Sequence, residues 1–465
     1  MSRIFFRADA NAQIGGGHMM RCLTIAECIA ASGPAADDSA SLYCAGHSAE
    51  PDAHIASRNG AHDAPVSAPW RTSRSAENMQ PPTPTDSMHR ITDTSAVTFI
   101  CADEESARLP RQAGFETRVL GTDYREMEAE VQAMISVLTH PPASTDAAGD
   151  SPATIIVDSY YATDAYLSAL REHARVVLIE DALTHTRPAA GIINYNLHAS
   201  GCAYHVAYPS DTTDVGSGTV LRPPLLLIGP RYAPVRAQFA ERRAVIRDDV
   251  RDILILCGAS DPLNAATQIY HTLSANLISG QAPDAPIGTP SMASGHSPLT
   301  STGAPCHPRF HIVCGAYNPH LAKLRALAEK DGRLLLHEQV EDMAALMCDC
   351  DLAVTAAGST IYELCAVGLP FVAFSLADNQ DPVLSALEAE DIASCAGLFY
   401  RDAAGTLQGI ARHVTELSEN VSLRKKRSEA QRLLVDGLGA ARISREILHG
   451  ASDASADSLR ASGSR

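Results

Sequence analysis

The stretch Ile14-Gly15-Gly16-Gly17-His18 lies between a short apolar run, Ile4-Phe5-Phe6, and a segment from Met19 to Ser32 whose apolar residues recur at helical spacing. The run predicts a first strand and the spaced residues predict a helix. A glycine-rich turn between them lets the backbone approach a ligand closely. It also places that ligand at the positively polarised start of a helix. The chain therefore opens on a strand, a turn and a helix suited to ligand binding.

His18 adds a titratable group to this turn, and the imidazole is the side chain whose ordinary pKa suits proton transfer near neutrality. We take His18 as a candidate catalytic residue, and Gly15, Gly16 and Gly17 as candidate substrate-binding residues. A tight turn with a capping histidine is the alternative for these residues.

Beyond this unit, apolar strands alternate with helices, which indicates parallel sheets covered on both faces. Ranges 97–101, 117–120, 154–157, 176–179 and 192–193 continue the first series. Ranges 253–256, 310–313, 334–336, 352–355 and 371–374 form a second series. We predict two similar α/β halves, residues 1–240 and 250–448, with a cleft between them.

Other segments predict helices or disorder. Helices are expected over 104–113, 125–140 and 423–448, the last interrupted at Gly437 and Gly439. Segments 34–95 and 279–308 are rich in Ser, Ala, Pro and Gly, which predicts disordered insertions. The terminal residues 449–465 are expected to form a disordered tail.

Composition excludes several classes of function. The net charge of −17 argues against a general affinity for nucleic acid. No run reaches the roughly 18 apolar residues of a membrane helix, and the start lacks the features of a signal peptide. The 12 cysteines form no C-x-x-C pair, so a disulfide or zinc framework is not expected. We expect a cytoplasmic monomer that does not bind membranes and uses no metal or cofactor.

In parallel sheets, ligands bind beyond the carboxyl ends of the strands. Three stretches lie there: 9–18, Asp158-Ser159-Tyr160 and Glu180-Asp181. Asp9 could orient His18 or cap its own loop. Arg21 follows His18 by one helical turn, where it could contact a phosphate or form an ion pair.

The stretch Ala357-Gly358-Ser359-Thr360, with Glu363 one turn later, suits a diphosphate at a helix start. Glu363 could then accept hydrogen bonds from a ribose diol. The alternative is simple capping by Ser359 or Thr360 with Glu363 as the capping-box partner.

The chain resembles the UDP-2,4-diacetamido-2,4,6-trideoxy-β-L-altropyranose hydrolases of pseudaminic acid biosynthesis. It also resembles, more distantly, the two-domain (GT-B) glycosyltransferases of peptidoglycan synthesis. The matching stretches occur in the family's order: Phe6-Arg7-Ala8-Asp9, Ile14-Gly15-Gly16-Gly17-His18, Arg21-Cys22-Leu23, Val157-Asp158-Ser159-Tyr160, Leu227-Ile228-Gly229-Pro230-Arg231-Tyr232, Gly258-Ala259-Ser260-Asp261-Pro262, Ala357-Gly358-Ser359-Thr360, Gly368-Leu369-Pro370 and Ala377-Asp378-Asn379-Gln380.

The resemblance implies two Rossmann-like doubly wound domains that face a cleft. It implies that His18 activates water and that Tyr160 and Asn379 lie at the sugar site; Asp158 joins these catalytic candidates. The candidates for holding the substrate are Arg21, Gly258, Ala259, Ser260, Asp261, Gly358, Ser359, Thr360, Glu363 and Gln380. Two departures are mild: Glu180-Asp181 replaces a paired aspartate, and Ala259 stands where glycine is common.

The implied reaction is hydrolysis of the sugar C1–O bond with inversion, releasing UDP and the free sugar. One base suffices because UDP leaves as a stabilised anion. The alternatives are a glycosyltransferase of the same fold and a nucleotide-sugar-binding protein without activity. The sequence does not fix the stereochemistry of the sugar.

Two patterns could be mistaken for metal sites. Asp349-Cys350-Asp351 has the D-x-D form of metal-dependent glycosyltransferases, but it precedes a strand at the amino end of the sheet. We interpret it as a solvated loop. His205, His311, His320 and His337 are dispersed in the sequence and make no ligand pattern.

Overall fold

A computed structural model describes residues 3–11, 14–32, 94, 96–140, 153–209, 223–279, 307–315 and 318–462. The segments 34–95 and 279–308, expected to be insertions, lie outside these residues except at their ends. Every apolar run that predicted a strand forms one. None of the helices in the described ranges combines the length and the apolarity that crossing a membrane requires.

The first half contains a seven-stranded parallel sheet in the order β3-β2-β1-β4-β5-β6-β7. Its strands are β1 Ile4–Ala8, β2 Val97–Cys101, β3 Glu116–Val119, β4 Ala153–Asp158, β5 Ala174–Ile179, β6 Gly191–Asn194 and β7 Leu225–Ile228. Every residue of β1, β2 and β4 is buried. This explains why they are mostly apolar, because helices cover both faces of the sheet.

The second half contains a six-stranded parallel sheet in the order β10-β9-β8-β11-β12-β13. Its strands are β8 Asp252–Leu256, β9 Arg309–Val313, β10 Leu334–His337, β11 Leu352–Ala356, β12 Phe371–Ser375 and β13 Ser394–Leu398. Both sheets therefore place their first and fourth strands side by side, as in the doubly wound fold. The crevice beyond the carboxyl ends of such a strand pair is where this fold binds ligands.

The helices of the described ranges are α1 Gly17–Ala31, α2 Arg108–Gln112, α3 Val131–Thr139, α4 Asp164–Arg171, α5 Gly201–Ala207, α6 Ala265–Ser279, α7 Leu321–Lys330, α8 Met343–Asp349, α9 Thr360–Val367, α10 Asp381–Ala389, α11 Ala403–Glu419, α12 Val421–Leu434 and α13 Gly439–Ser462. One apolar cluster extends from Phe6 of β1 through Leu254 of β8 to Ile361 of α9. The two halves thus share a continuous core.

Two helix predictions need correction, and a third is confirmed. The helix expected over 104–113 forms only as α2, and the one expected over 125–140 begins as a 3-10 turn, Met127–Glu130. That turn includes Glu130, which accepts hydrogen bonds from buried Arg7, so a tertiary contact shapes it. The predicted interruption of the late helix is confirmed, because the segment forms two helices, α12 and α13. Gly437 separates them with a φ of 85°, and a Cβ there would lie 2.7 Å from Cα of Ala240.

The predicted disordered tail is also corrected, because α13 continues to Ser462. The residues after Gly450 include no proline, and one internal glycine costs a helix only about 1 kcal/mol. The first turns of α13 pack on α1, where Oγ of Ser444 donates to the carbonyl of Ile25 at 3.2 Å. Helix α13 therefore packs against the first half, on the helix that begins at the glycine-rich turn.

Candidate functional site

The glycine-rich turn places His18 at the carboxyl edge of the first sheet. The amide of Gly15 donates to the carbonyl of Asn11 at 2.8 Å, and Gly15 has a φ of 74°, a conformation that favours glycine. Helix α1 then starts with Gly16 as its N-cap and no side-chain capping bond. The alternative of a capping histidine is therefore wrong, since the imidazole of His18 points to another strand.

That strand is β4, and its last residue is Asp158. Nδ1 of His18 lies 2.6 Å from Oδ1 of Asp158, and the two side chains are 9% and 0% exposed. Because β1 and β4 are neighbours in the sheet, the loop after one and the end of the other meet. An ionised Asp158 accepts the Nδ1 proton, so the lone pair of the neutral imidazole lies on Nε2. His18 is thereby set up to accept a proton at Nε2.

Arg21 keeps Asp158 ionised. Its Nε and Nη2 donate to the two oxygens of Asp158 at 2.6 Å each, and its Nη1 donates to Asp181 at 2.9 Å. Although burial raises the pKa of Asp158, Arg21 and His18 outweigh it and hold the pKa below its usual range. The pKa of Asp181 is likewise held below its usual range by Arg21, against the effect of burial. Of the two roles considered for Arg21, the ion pair is the one that forms.

Tyr160 covers the imidazole from the cleft side. Its ring meets the His18 ring edge-on, with centroids 4.6 Å apart, and the residue is 60% exposed. Its hydroxyl donates to Oδ2 of Asp181 at 2.7 Å. Asn379, from the second half, acts on the same hydroxyl and opposes the rise that burial causes in the pKa of Tyr160. Tyr160 therefore joins the carboxylate network of the first half to the second half.

Asp9 does not contact His18. One of its oxygens accepts from the amide of Ala102 at 2.8 Å, and the other pairs with Arg7, which is buried. Of the two roles considered for Asp9, orienting His18 is excluded by this geometry. Asp9 instead ties its loop to the end of the next strand.

The second half supplies two turns with the geometry of anion sites. Gly258 follows β8 with a φ of 75°, and Gly358 follows β11 directly before α9. Ala259, Ser260, Ser359 and Thr360 flank them on the wall of the cleft. Beside Gly358, the side chain of Gln380 accepts from the amide of Leu376 at 2.8 Å, so its position is fixed. Helix starts of this kind stabilise anions.

Asp261, by contrast, is fully buried and does not line the cleft. Its oxygens accept from the amides of Ala265 and Ala266 at 2.7 and 3.1 Å, which caps α6. The expectation that Asp261 contacts substrate is thus not met by its position, because the start of α6 uses both of its oxygens.

Glu363 does not act as a capping-box partner. Ser359 makes no capping bond, and Oε1 of Glu363 accepts instead from Nε of Arg236 at 2.9 Å. Arg236 lies in the segment between the two sheets, and no sequence motif predicts this pairing. Other cleft residues that sequence reasoning missed are Tyr195, Asn196, His198 and Tyr362.

All these groups line one cleft of about 850 Å³ between the halves, within the range of small-molecule sites. Every predicted site residue except Asp261 lines it, namely Gly15, Gly16, Gly17, His18, Arg21, Asp158, Tyr160, Gly258, Ala259, Ser260, Gly358, Ser359, Thr360, Glu363, Asn379 and Gln380. A second cavity of about 10 Å³, the size of one water molecule, lies beside His18 and Asp158.

The two patterns that could be mistaken for metal sites make contacts within the protein. Asp351 is buried, not solvated as expected, because it accepts from the amides of Arg251 and Asp252 and from Arg247. His311 and His337 are stacked, with centroids 5.3 Å apart. Among the residues that the structure describes, no cluster of three or more His, Cys, Asp or Glu could hold a metal ion.

Comparison with the solved structure of MurG agrees with this fold. MurG from Acinetobacter baumannii superposes with a TM-score of 0.51 over 97% of this chain and 100% of that one, at 12% identity. The S. aureus MnaA-UDP co-structure gives a TM-score of 0.49 over 96% of each chain, at 10% identity. The protein has the two-domain, Rossmann-like GT-B fold.

In sequence, the chain is 26% identical over 224 residues to the spore coat polysaccharide biosynthesis protein SpsG of Bacillus subtilis. The match covers 48% of this chain and 55% of SpsG, so it spans about half the length of that relative. No protein-family model matches the chain.

Proposed function

We propose that the protein is an enzyme that binds a UDP-sugar in the cleft and hydrolyses it. The observation that carries this proposal is the His18–Asp158 pair, which lines the same cleft as the Gly258 and Gly358 turns of the second half. The name of the relative SpsG, which refers to polysaccharide biosynthesis, supports a substrate from sugar metabolism.

The second half binds the nucleotide in this proposal. Gly358 and the amides at the start of α9 hold the diphosphate, and the Gly258 turn approaches it from the neighbouring strand. Glu363, one turn into α9, accepts hydrogen bonds from the ribose. The partial positive charge of the helix start stabilises the negative charge that develops on the leaving diphosphate.

The first half activates the water. Nε2 of His18 takes a proton from the water as its oxygen bonds to C1 of the sugar, and the C1–O bond breaks with its electron pair passing to UDP. Asp158 holds the imidazole in the required orientation and stabilises its charged form. Tyr160 and Asn379 contact the sugar. A single displacement of this kind inverts the configuration at C1.

Water, not a second sugar, is the proposed nucleophile because of the room beside His18. The His18 side chain is 9% exposed beneath Tyr160, and the adjacent cavity fits a single water. From the resemblance of the motifs, we propose UDP-2,4-diacetamido-2,4,6-trideoxy-β-L-altrose as the substrate. The free sugar would then be used in pseudaminic acid biosynthesis. No step in this reaction requires a metal.

A glycosyltransferase is the second candidate, since the protein shares its fold with MurG and its cleft has a volume of about 850 Å³. The experiment that separates the two is UDP release from the proposed substrate without any acceptor, with and without EDTA. Hydrolysis predicts release that EDTA does not change. Release only after an acceptor is added would favour the transferase, and UDP binding without turnover would favour a binding protein.

A further inference from the structure

Arg236 connects the segment between the two sheets to the proposed nucleotide helix. Its Nε and Nη2 both lie 2.9 Å from Oε1 of Glu363. The guanidinium also lies over the ring of Phe239, 5.1 Å from its centroid. Two contacts to one oxygen and a ring beneath fix the orientation of both side chains.

The pairing leaves part of the carboxylate available. Both contacts go to Oε1, so Oε2 keeps its capacity to accept hydrogen bonds. Glu363 and Arg236 both line the cleft, and their side chains are 19% and 25% exposed. A ligand in the cleft can therefore reach the carboxylate without displacing the arginine.

Arg236 supplies the positive charge that offsets the negative charge of Glu363. Burial raises the pKa of Glu363, and Arg236 is the charged group that opposes this rise. Glu27 of α1 faces the same arginine: burial raises its pKa and Arg236 opposes the rise. Without Arg236, a partly buried carboxylate at the cleft would take up a proton at a higher pH.

We propose that Arg236 is a positioning residue that makes the site select ribonucleotides. It holds Glu363 so that the carboxylate accepts hydrogen bonds from the 2′ and 3′ hydroxyls of a nucleoside diphosphate. This inference rests on the proposed function, because it takes UDP as the nucleotide in the cleft.

The test compares the binding of UDP and of 2′,3′-dideoxy-UDP by calorimetry between about pH 5 and about pH 8, a range that spans the titration of a carboxyl with a raised pKa. The variants are R236Q, R236K and E363Q. R231Q is the matched control, because Arg231 lies on the same segment, stacks on Tyr232 and does not line the cleft. Thermal unfolding confirms that each variant is folded.

Wild type and R231Q should bind UDP about 10-fold or more tightly than the dideoxy analogue, as expected for hydrogen bonds to a charged group. E363Q should lose most of this preference at every pH. R236Q should lose it at low pH and regain it as the pH rises, because Glu363 must lose its proton first. R236K should keep part of it, since lysine supplies charge without the planar fork.

If Arg236 had only a structural role, R236Q would weaken the binding of UDP and of the dideoxy analogue equally at every pH. That result would overturn the inference. An R236Q variant with an unchanged preference, or an E363Q variant that keeps its preference, would overturn it as well. Failure of the wild type to bind UDP at all would instead overturn the proposed function, and the inference with it.

Discussion

His18 and Asp158 are 140 residues apart in the chain, and Nδ1 of one lies 2.6 Å from Oδ1 of the other. The contact exists because β1 and β4 are neighbours at the crevice of the first sheet. It fixes which nitrogen of His18 carries the proton, and therefore which nitrogen can accept one. The proposed chemistry depends on this contact.

Replacing Asp158 by asparagine should lower kcat for UDP release by about 10²- to 10⁴-fold, because the amide no longer holds the reactive tautomer. UDP is proposed to bind to the opposite wall, so its Kd should change little. Steady-state kinetics and calorimetry measure the two effects. D349N, an exposed aspartate at the far edge of the second sheet, is the control. An unchanged kcat in D158N would contradict the role of the pair.

Removal of Arg21 should destabilise the first half. R21M leaves the buried carboxylate of Asp158 and the partly exposed one of Asp181 without their cation, so we expect a loss of about 3–5 kcal/mol in the free energy of unfolding. R21K should lose less, because it keeps the charge but not the two-pronged contact. Urea denaturation measures both. A loss in R21M no larger than that of a surface arginine variant such as R125M would refute the ion-pair account.

Stability should fall in acid because of the same network. The pKa of Asp181 is lowered in the folded protein, so its stabilising contribution is present above the unfolded pKa of about 3.9 and disappears as the pH falls below it. Wild type should therefore lose stability between about pH 5 and about pH 3 more steeply than D181N. Urea denaturation across this range tests the sign, and equal slopes would show that Asp181 is not the group responsible.

Tyr160 should act through its hydroxyl as well as its ring. Y160F keeps the ring over His18 but removes the hydrogen bond to Asp181. We expect kcat/KM to fall by about 5-fold, the equivalent of about 1 kcal/mol, with little change in stability. Y161F is the matched control, because the neighbouring Tyr161 meets the ring of Tyr124 edge-on and does not line the cleft. Equal effects of the two variants would remove Tyr160 from the proposed sugar site.

The sequence predicted which residues lie at the cleft better than it predicted their partners. Strand order and the rule that ligands bind at carboxyl ends bring His18, Asp158 and Asp181 to one edge. They do not distinguish these carboxylates from Asp9, which also ends a strand but pairs with Arg7. Which carboxylate pairs with which partner depends on side-chain packing between strands that are remote in sequence.

Local patterns failed where tertiary contacts competed with them. The spacing of Ser359 and Glu363 fits a capping box, but Arg236 pairs with the carboxylate instead. The family resemblance implies a substrate contact for Asp261, but both of its oxygens cap α6. In each case the chain offers two partners to one carboxylate, and only the folded arrangement decides between them.

The central claim is that His18 is the base for water attack. The most direct test measures UDP release from UDP-2,4-diacetamido-2,4,6-trideoxy-β-L-altrose by wild type and by H18Q. The UDP affinity of both proteins is measured in parallel. The account predicts release without an acceptor by wild type, and a fall of about 10²- to 10⁴-fold in kcat for H18Q at nearly unchanged UDP affinity. Release by H18Q at the rate of the wild type would contradict it.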